Sequence, residues 1–341
     1  MASKNIIINP SSGAIIMALG IFLFVTIDAF PFLENIKLFF VFIFLYIGML
    51  IYTLITIQLF HKDFLISLLI NPVNSFVIGT WIAGISVLSN VIMKYLPEFH
   101  RFVQGIVCVN TLLWLGFLLI CLYNFKRLYK KSQKYPVHGI ILLSTVATQS
   151  MVLSWIPFFQ QIPIKLIKII IMIGLLFYGL GILLIIFRYS RNNWSLLDDW
   201  TNTNCIIHGA LSITGLAIVS SHLLSADLIL IFWLLVFILF LLVESIEIVR
   251  GIKRVSNLGW KKGIFTYNVS QWSRNFTFGM FYAFTFKIHS NIDYKSTLES
   301  LHEIILSFWN WTVLLILVIE IGIWFRSYFI DRNKITEKAS I

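Results

Sequence analysis

Residues 203–222 read TNCIIHGALSITGLAIVSSH, and residues 227–249 read DLILIFWLLVFILFLLVESIEIV. The first segment contains Thr203, Asn204, Gly209, Ala210, Ser212, Thr214, Gly215, Ala217, Ser220 and Ser221, whereas the second has Ser245 as its only residue of these types. Each is long enough to cross a bilayer as a helix, which takes about 20 mostly apolar residues. Small side chains let helices approach closely, and hydroxyl or amide groups in hydrocarbon must find partners. The pair therefore reads as a helical hairpin with a packed, polar inner member and a lipid-facing outer member.

The whole chain is built this way. Of its 341 residues 59% are hydrophobic and 12% charged, with a mean hydropathy of +0.89, so no water-soluble core could hide its apolar surface. Apolar runs broken by charge, Pro or Asn predict ten spans near 11–28, 36–60, 72–92, 101–124, 138–156, 164–187, 203–223, 227–249, 268–288 and 302–326. Residues 1–341 are thus expected to form a single transmembrane domain. The first span, with no small-residue cleavage pattern at its end, reads as retained rather than as a signal peptide.

Charge sets the orientation. With the N-terminus inside, eighteen basic residues fall on inside segments, among them Lys4, the run Lys126 to Lys134 and the run Arg250 to Lys262. Seven fall outside: Lys37, Lys94, Arg101, Lys165, Lys168, Lys287 and Lys295. This asymmetry predicts a multi-pass protein of the inner (plasma) membrane with both termini cytoplasmic. It also accounts for the net charge of +11 without a nucleic-acid partner. Cys108, Cys121 and Cys205 have no paired spacing, so neither a disulfide framework nor a metal site is expected.

The odd spans begin near residues 11, 72, 138, 203 and 268, which suggests a five-fold repeat of helical hairpins. Span five repeats the polar pattern with Ser144, Thr145, Ala147, Thr148, Gln149, Ser150 and Ser154. Five such helices can ring a narrow polar path, for which Gly13, Gly20, Thr80, Gly84, Thr145, Thr148, Gly209 and Ser212 are lining candidates. Acidic residues are nearly absent from these spans, Asp28 standing at a span end. A cation pathway is therefore disfavoured, and small anions or neutral solutes fit better.

Several odd spans carry a further pattern: GAIIMALG at 13–20, AGISVL at 83–88, VATQS at 146–150, HGALSITGLA at 208–217 and WSRNFTFGMF at 272–281. In this order, one per odd span, they resemble the tellurite-resistance/dicarboxylate transporter family, which includes the plant slow anion channels. The resemblance implies an all-α membrane fold of five hairpins in a quasi-five-fold arrangement, odd helices around a central pore, and assembly as a homotrimer. It implies transport of chloride- or nitrate-like anions, sulfite or C4-dicarboxylates, with no cofactor, and a pore occluded by a phenylalanine that the motif places at Phe276. This chain departs from the family pattern at Thr277, where proline is common, and at Arg274, where an apolar residue is usual.

If Phe276 faces inward, so do Trp272, Gly279, Met280 and Ala283, whereas Arg274 lies about 200° around the helix. Arg274 then reads as an ion-pair partner for Glu320, Glu244 or Glu247, against the alternative of an anion-attracting charge near the path. His208 and His222 share a face but have no haem motif beside them. Asp198-Asp199 stands alone in a short loop. An enzyme acting on lipid or isoprenoid substrates would need clustered Asp, His or Glu at one interface, which the sequence lacks, so no catalytic residues are expected. A membrane sensor without transport activity is the other alternative.

Overall fold

A computed structural model describes residues 8–131, 134–159, 161–191, 194–291 and 298–339, and for Arg191 and residues 329–339 only the backbone. Lys4 and Lys295, counted in the charge asymmetry, lie outside the described residues. Among these residues the apolar runs form helices and no strand. They are α1 (Gly13–Phe24), α2 (Lys37–Leu59), α3 (Lys62–Ile70), α4 (Ile78–Tyr95), α5 (His100–Lys130), α6 (Leu143–Phe158), α7 (Ile164–Arg191), α8 (Ile206–Ser220), α9 (Ala226–Gly263), α10 (Trp272–His289) and α11 (Glu299–Ala339).

Eight helical segments are long and apolar enough to cross a membrane, and the chain is a multi-pass membrane protein. The apolar segment containing α1, Pro10–Phe24, is shorter. α10 is not among the eight, since Arg274, Asn275, Lys287 and His289 make its two ends polar. The short α3 sits in the connection between the second and third expected spans. α9 and α11 continue beyond the apolar runs at 227–249 and 302–326, because the charged residues that follow are good helix formers in water.

Burial divides the helices into two sets. The segments Asn74–Tyr95, Gly139–Phe158 and Asn202–Ser220 are 83%, 89% and 94% buried, whereas the α2, α5, α9 and α11 segments are only 22–28% buried. The buried set consists of α1, α4, α6, α8 and α10, and each member packs on the next until α10 closes against α1. α2, α5, α7, α9 and α11 each pack on the buried helix that precedes them. A single 3-10 turn leads into every buried helix, starting at residues 10, 74, 139, 202 and 269.

Small residues make this contact possible. A Cβ on Gly13 would lie 2.7 Å from the Thr80 carbonyl oxygen, and one on Gly139 would lie 2.0 Å from that of Thr203. Polar side chains then pin the outer layer to the inner one. The Tyr52 hydroxyl donates to the Trp81 carbonyl, the Asn110 amide to the Ile82 carbonyl, the Tyr178 hydroxyl to the Ile207 carbonyl and the Trp309 indole to the Phe278 carbonyl. In hydrocarbon each such group has no water to fall back on.

Near the end of α9 the chain turns at Gly259, whose φ of 72° suits glycine alone. The segment between α7 and α8 is tied down by Arg188, which donates to the Val137 carbonyl at 2.6 Å and to Asp199 at 3.0 Å. Asp199 also accepts from the Ser195 N–H at 2.8 Å. That backbone bond, aided by Arg188, holds the Asp199 carboxyl below its usual range against the opposing effect of burial. A depressed carboxyl stabilises the fold above its unfolded value of 3.8 and loses that contribution as pH falls through its folded value. Asp199→Asn should therefore lower stability at pH 7, by under about 1 kcal/mol because the group is partly solvated. Thermal unfolding in detergent should show the gap between parent and variant narrowing as pH falls below 3.8; a gap that does not change with pH would contradict this account.

Candidate functional site

The five buried helices border two adjoining spaces that share Phe24, Asn90, Leu153 and Leu216. The narrower, about 20 Å³, is walled by Ile21 and Phe24 from α1, Ser86, Val87 and Asn90 from α4, Ser150 and Leu153 from α6, Ile213 and Leu216 from α8, and Met280 from α10. It has room for one water and no more. The wider, about 310 Å³, continues past Asn90, Leu153 and Leu216 to a mouth beside Asp28, Ser220, Ala283 and Lys287. Every member of the ring thus contributes to the column.

Of the polar groups on these walls, Ser150 donates to the Ala147 carbonyl of its own helix and Ser86 accepts from the Asn110 amide. Ser212, Thr214 and Thr277 border neither space and donate to the carbonyls of His208, Ala210 and Arg274 within their own helices. Asn90 lies where the two spaces meet: its amide reaches the Leu153 carbonyl at 3.5 Å, and its Oδ1 is buried without a partner among the described residues.

α10 enters the ring through a capping box in which Asn268 accepts from the Ser270 N–H and Gln271 accepts from the Asn268 N–H. Met280 borders the narrow space, and Ala283 and Lys287 border the wide one. Phe276 precedes Met280 by four residues, so it stands on the same stripe one turn toward the start of α10, 1% exposed. The aromatic rings near it turn elsewhere. Phe278 lies 5.0 Å from Trp309 and Phe281 lies 4.9 Å from Phe240, both against the outer layer.

Several residues expected on the lumen are placed otherwise. Gly13, Gly20, Gly84, Gly209 and Gly279 sit at contacts between helices, where an added Cβ would come within 2.1–2.7 Å of Thr80, Val87, Tyr52, Thr277 and Ile21 respectively. Thr80 forms the other side of the Gly13 contact and donates to the Val77 carbonyl. Thr145 turns outward to the Gly174 carbonyl of α7, and Thr148 accepts from the Trp114 indole of α5. Trp272 packs at 5.7 Å against Trp324 of α11 and donates to the Tyr267 hydroxyl. Each step of four residues advances the stripe by 40°, and two such steps back from Met280 carry Trp272 off the lumen. The cavity walls bring in Ser86, Asn90, Ser150, Leu216 and Lys287, which were not among the lining candidates. An amide inside an apolar span was the available signal for Asn90.

At the wide mouth Asp28 is engaged by Lys37 at 2.8 Å and by Lys94 at 2.5 Å. Among the described residues no carboxylate pairs with Lys287, which is exposed beside them. The mouth therefore carries a surplus of positive charge.

Arg274 lies on the far side of α10 and pairs with two carboxylates of α9, Glu244 at 3.2 Å and Glu247 at 3.3 Å. Glu244 also meets the ring of buried His208 at 3.2 Å, and Glu247 accepts from Arg250 at 2.9 Å. Arg250 continues the chain to Asn202 at 2.9 Å. Glu320, the third candidate partner, is buried on α11 with no hydrogen-bond partner for Oε1 among the described residues. His208 is thus a partner of Glu244, and among the described residues no three His, Cys, Asp or Glu side chains gather as a metal site would need.

The sequence matches the family model described as voltage-dependent anion channel over residues 8–325. No curated protein matches the chain.

Removing Arg274 would leave Glu244 and Glu247 close together with their main counter-charge gone. Arg274→Met should cost about 3 kcal/mol. Adding Glu244→Gln and Glu247→Gln should recover most of that loss in a thermal-unfolding cycle in detergent. No recovery would mean that Arg274 supports the fold through something other than these charges.

Proposed function

The chain belongs to the voltage-dependent anion channel family and so transports anions across a membrane, and on that basis we propose that the column enclosed by α1, α4, α6, α8 and α10 is the permeation path. One observation carries the reading: a single space takes its walls from all five buried helices and narrows to about 20 Å³ beside Met280, one turn from Phe276. In this reading the fold is a quasi-five-fold set of helical hairpins in one transmembrane domain. The closed ring of helix contacts and the five equivalent 3-10 turns support it.

Phe276 is the gate. In this reading its ring, buried one turn from Met280, closes the column beyond the narrow space. An anion forced past it would shed water and gain few donors, a barrier of several kcal/mol. At the wide mouth Lys287, which no carboxylate among the described residues pairs, concentrates anions ahead of the constriction, while Asp28 is neutralised. Asn90, where the two spaces meet, is an amide placed to donate to an anion that has left the mouth.

The cargo is a small anion of the chloride or nitrate type, sulfite or a C4-dicarboxylate, for which the sequence resemblance argues. The same resemblance argues for a homotrimer. The excess of basic residues on one side argues for cytoplasmic termini in the plasma membrane.

The test is flux into liposomes holding purified protein, comparing chloride, nitrate, sulfite and malate. Phe276→Ala should raise the rate tenfold or more, since each ~1.4 kcal/mol of barrier is a factor of ten, and Phe276→Leu should raise it less. If no anion moves faster than in empty liposomes, even through the Phe276→Ala variant, the reading fails. If instead Phe278→Ala or Phe281→Ala opens the path and Phe276→Ala does not, the inward face of α10 is wrongly assigned.

Lys287→Gln should slow anion entry several-fold in dilute buffer. The deficit should shrink as salt approaches 1 M, where the screening length falls to about 3 Å. A deficit that is independent of salt would remove Lys287 from the attracting role.

A further inference from the structure

A space of about 510 Å³, larger than either part of the central column, lies in a crevice between α9 and α11 with α10 as its floor. One end is apolar, walled by Phe240, Leu241, Trp309 and Ile316. The other is charged, with Glu244, Glu247, Arg254 and Arg274. There it adjoins a polar space of about 420 Å³, and the two share Asn202, Arg254 and Gln271.

Most of the polar groups at this junction are committed. Glu244 and Glu247 are held by Arg274, His208 and Arg250, while Asn202 bonds Arg250 and Ser270. Gln271 bonds the Asn268 N–H and the Thr266 carbonyl. Arg254 has no such engagement: among the described residues no carboxylate reaches it, and it stands half-buried where the two spaces meet. Asp198, the acidic residue on the polar space, is exposed and accepts from the Ser195 hydroxyl. Lys253, Lys261 and Lys262 crowd the same end of α9.

A crevice that is apolar at one end and offers an uncommitted guanidinium at the other, with lysines near it on the same helix, suits a molecule with an acyl chain and an anionic head. The bilayer supplies such molecules, and basic clusters at the end of a membrane helix attract them. We propose that this crevice binds an anionic phospholipid, with its phosphate on the Arg254 guanidinium and an acyl chain along Phe240, Leu241 and Ile316. A guanidinium matches phosphate with two parallel N–H donors. Because Arg274 and Phe278 form the floor, the lipid rests on the reverse face of the helix that carries Phe276. The inference needs only the crevice and a bilayer, so it stands apart from the transport reading.

The test counts lipid retained by the purified full-length protein from phosphatidylglycerol and from phosphatidylcholine nanodiscs, by native mass spectrometry. The parent should keep phosphatidylglycerol at least tenfold over phosphatidylcholine. Arg254→Gln should abolish that preference and Arg254→Lys should keep part of it. Leu241→Trp, filling the apolar end, should reduce retention of both lipids, and if that variant does not fold the Arg254 pair still decides. Equal phosphatidylglycerol retention by the parent and Arg254→Gln would overturn the proposal. So would displacement of the lipid by an equal concentration of inorganic phosphate, which would mark a site for a soluble anion. Leu241→Cys cross-linking to a second copy would do the same, since another protomer would then fill the crevice. Chloride flux through Phe276→Ala in neutral lipid, measured separately, tells failure of this site from failure of the transport reading.

Discussion

A polar group inside hydrocarbon must be bonded by the protein itself, and the fold is organised around that demand. The inner helices are rich in hydroxyls and amides that no bilayer would accept on its surface, so they are enclosed. The outer helices enclose them by reaching inward: Tyr52, Asn110, Tyr178 and Trp309 each donate to a carbonyl of an inner helix. Trp114 and Trp233 do the same to the hydroxyls of Thr148 and Thr285. Bonds of this kind average about 0.6 kcal/mol in a membrane. Their main effect is to set the rotation of each helix, since a hydroxyl and its carbonyl must meet at one azimuth.

Close packing follows from the same arrangement. Once the helices are pinned, their separation depends on what stands at each contact, and glycine at Gly13, Gly84, Gly209 and Gly279 removes every spacer. Helices drawn so near leave a narrow lumen. Its walls are mostly apolar, and the Ser150 hydroxyl on them is turned back on its own helix. Such a wall offers little hydration to a passing ion, so on the proposed reading one phenyl ring suffices as a closure.

Much of this was legible in the sequence, and the limits have physical causes. Alternation of small-polar and greasy segments marks the inner and outer sets, because burial on every side and burial against lipid demand different residues. The ion pairing of Arg274 with α9 was legible too, since two residues of helix separate it from Phe276 by about 200°. Which face each small residue takes was not. Gly209 at a contact and Ser150 at the lumen are both small, and composition cannot tell a spacer from a lining. Thr145 and Thr148 turn to Gly174 and Trp114, residues distant in sequence whose positions only the fold defines. Trp272 packs against α11 for a reason of period: a stripe drawn every four residues drifts by 40° per step, and over two steps that turns it from the side of Met280 toward Trp324.

The two faces of α10 bear on how a closed path would open. Phe276 stands on the stripe shared with Met280, while Arg274 on the opposite side is joined to Glu244 and Glu247, themselves joined to His208 and Arg250. Turning the whole helix far enough to withdraw the ring would drag Arg274 from both carboxylates, and breaking a largely buried ion pair costs about 3–5 kcal/mol. Gly209 against Thr277 and Gly279 against Ile21 leave no free space for the turn. A side-chain swing of Phe276 disturbs none of these contacts and costs about 1 kcal/mol if the ring settles off its preferred rotamer. The clamp on one face of α10 thus favours motion of the ring over motion of the helix.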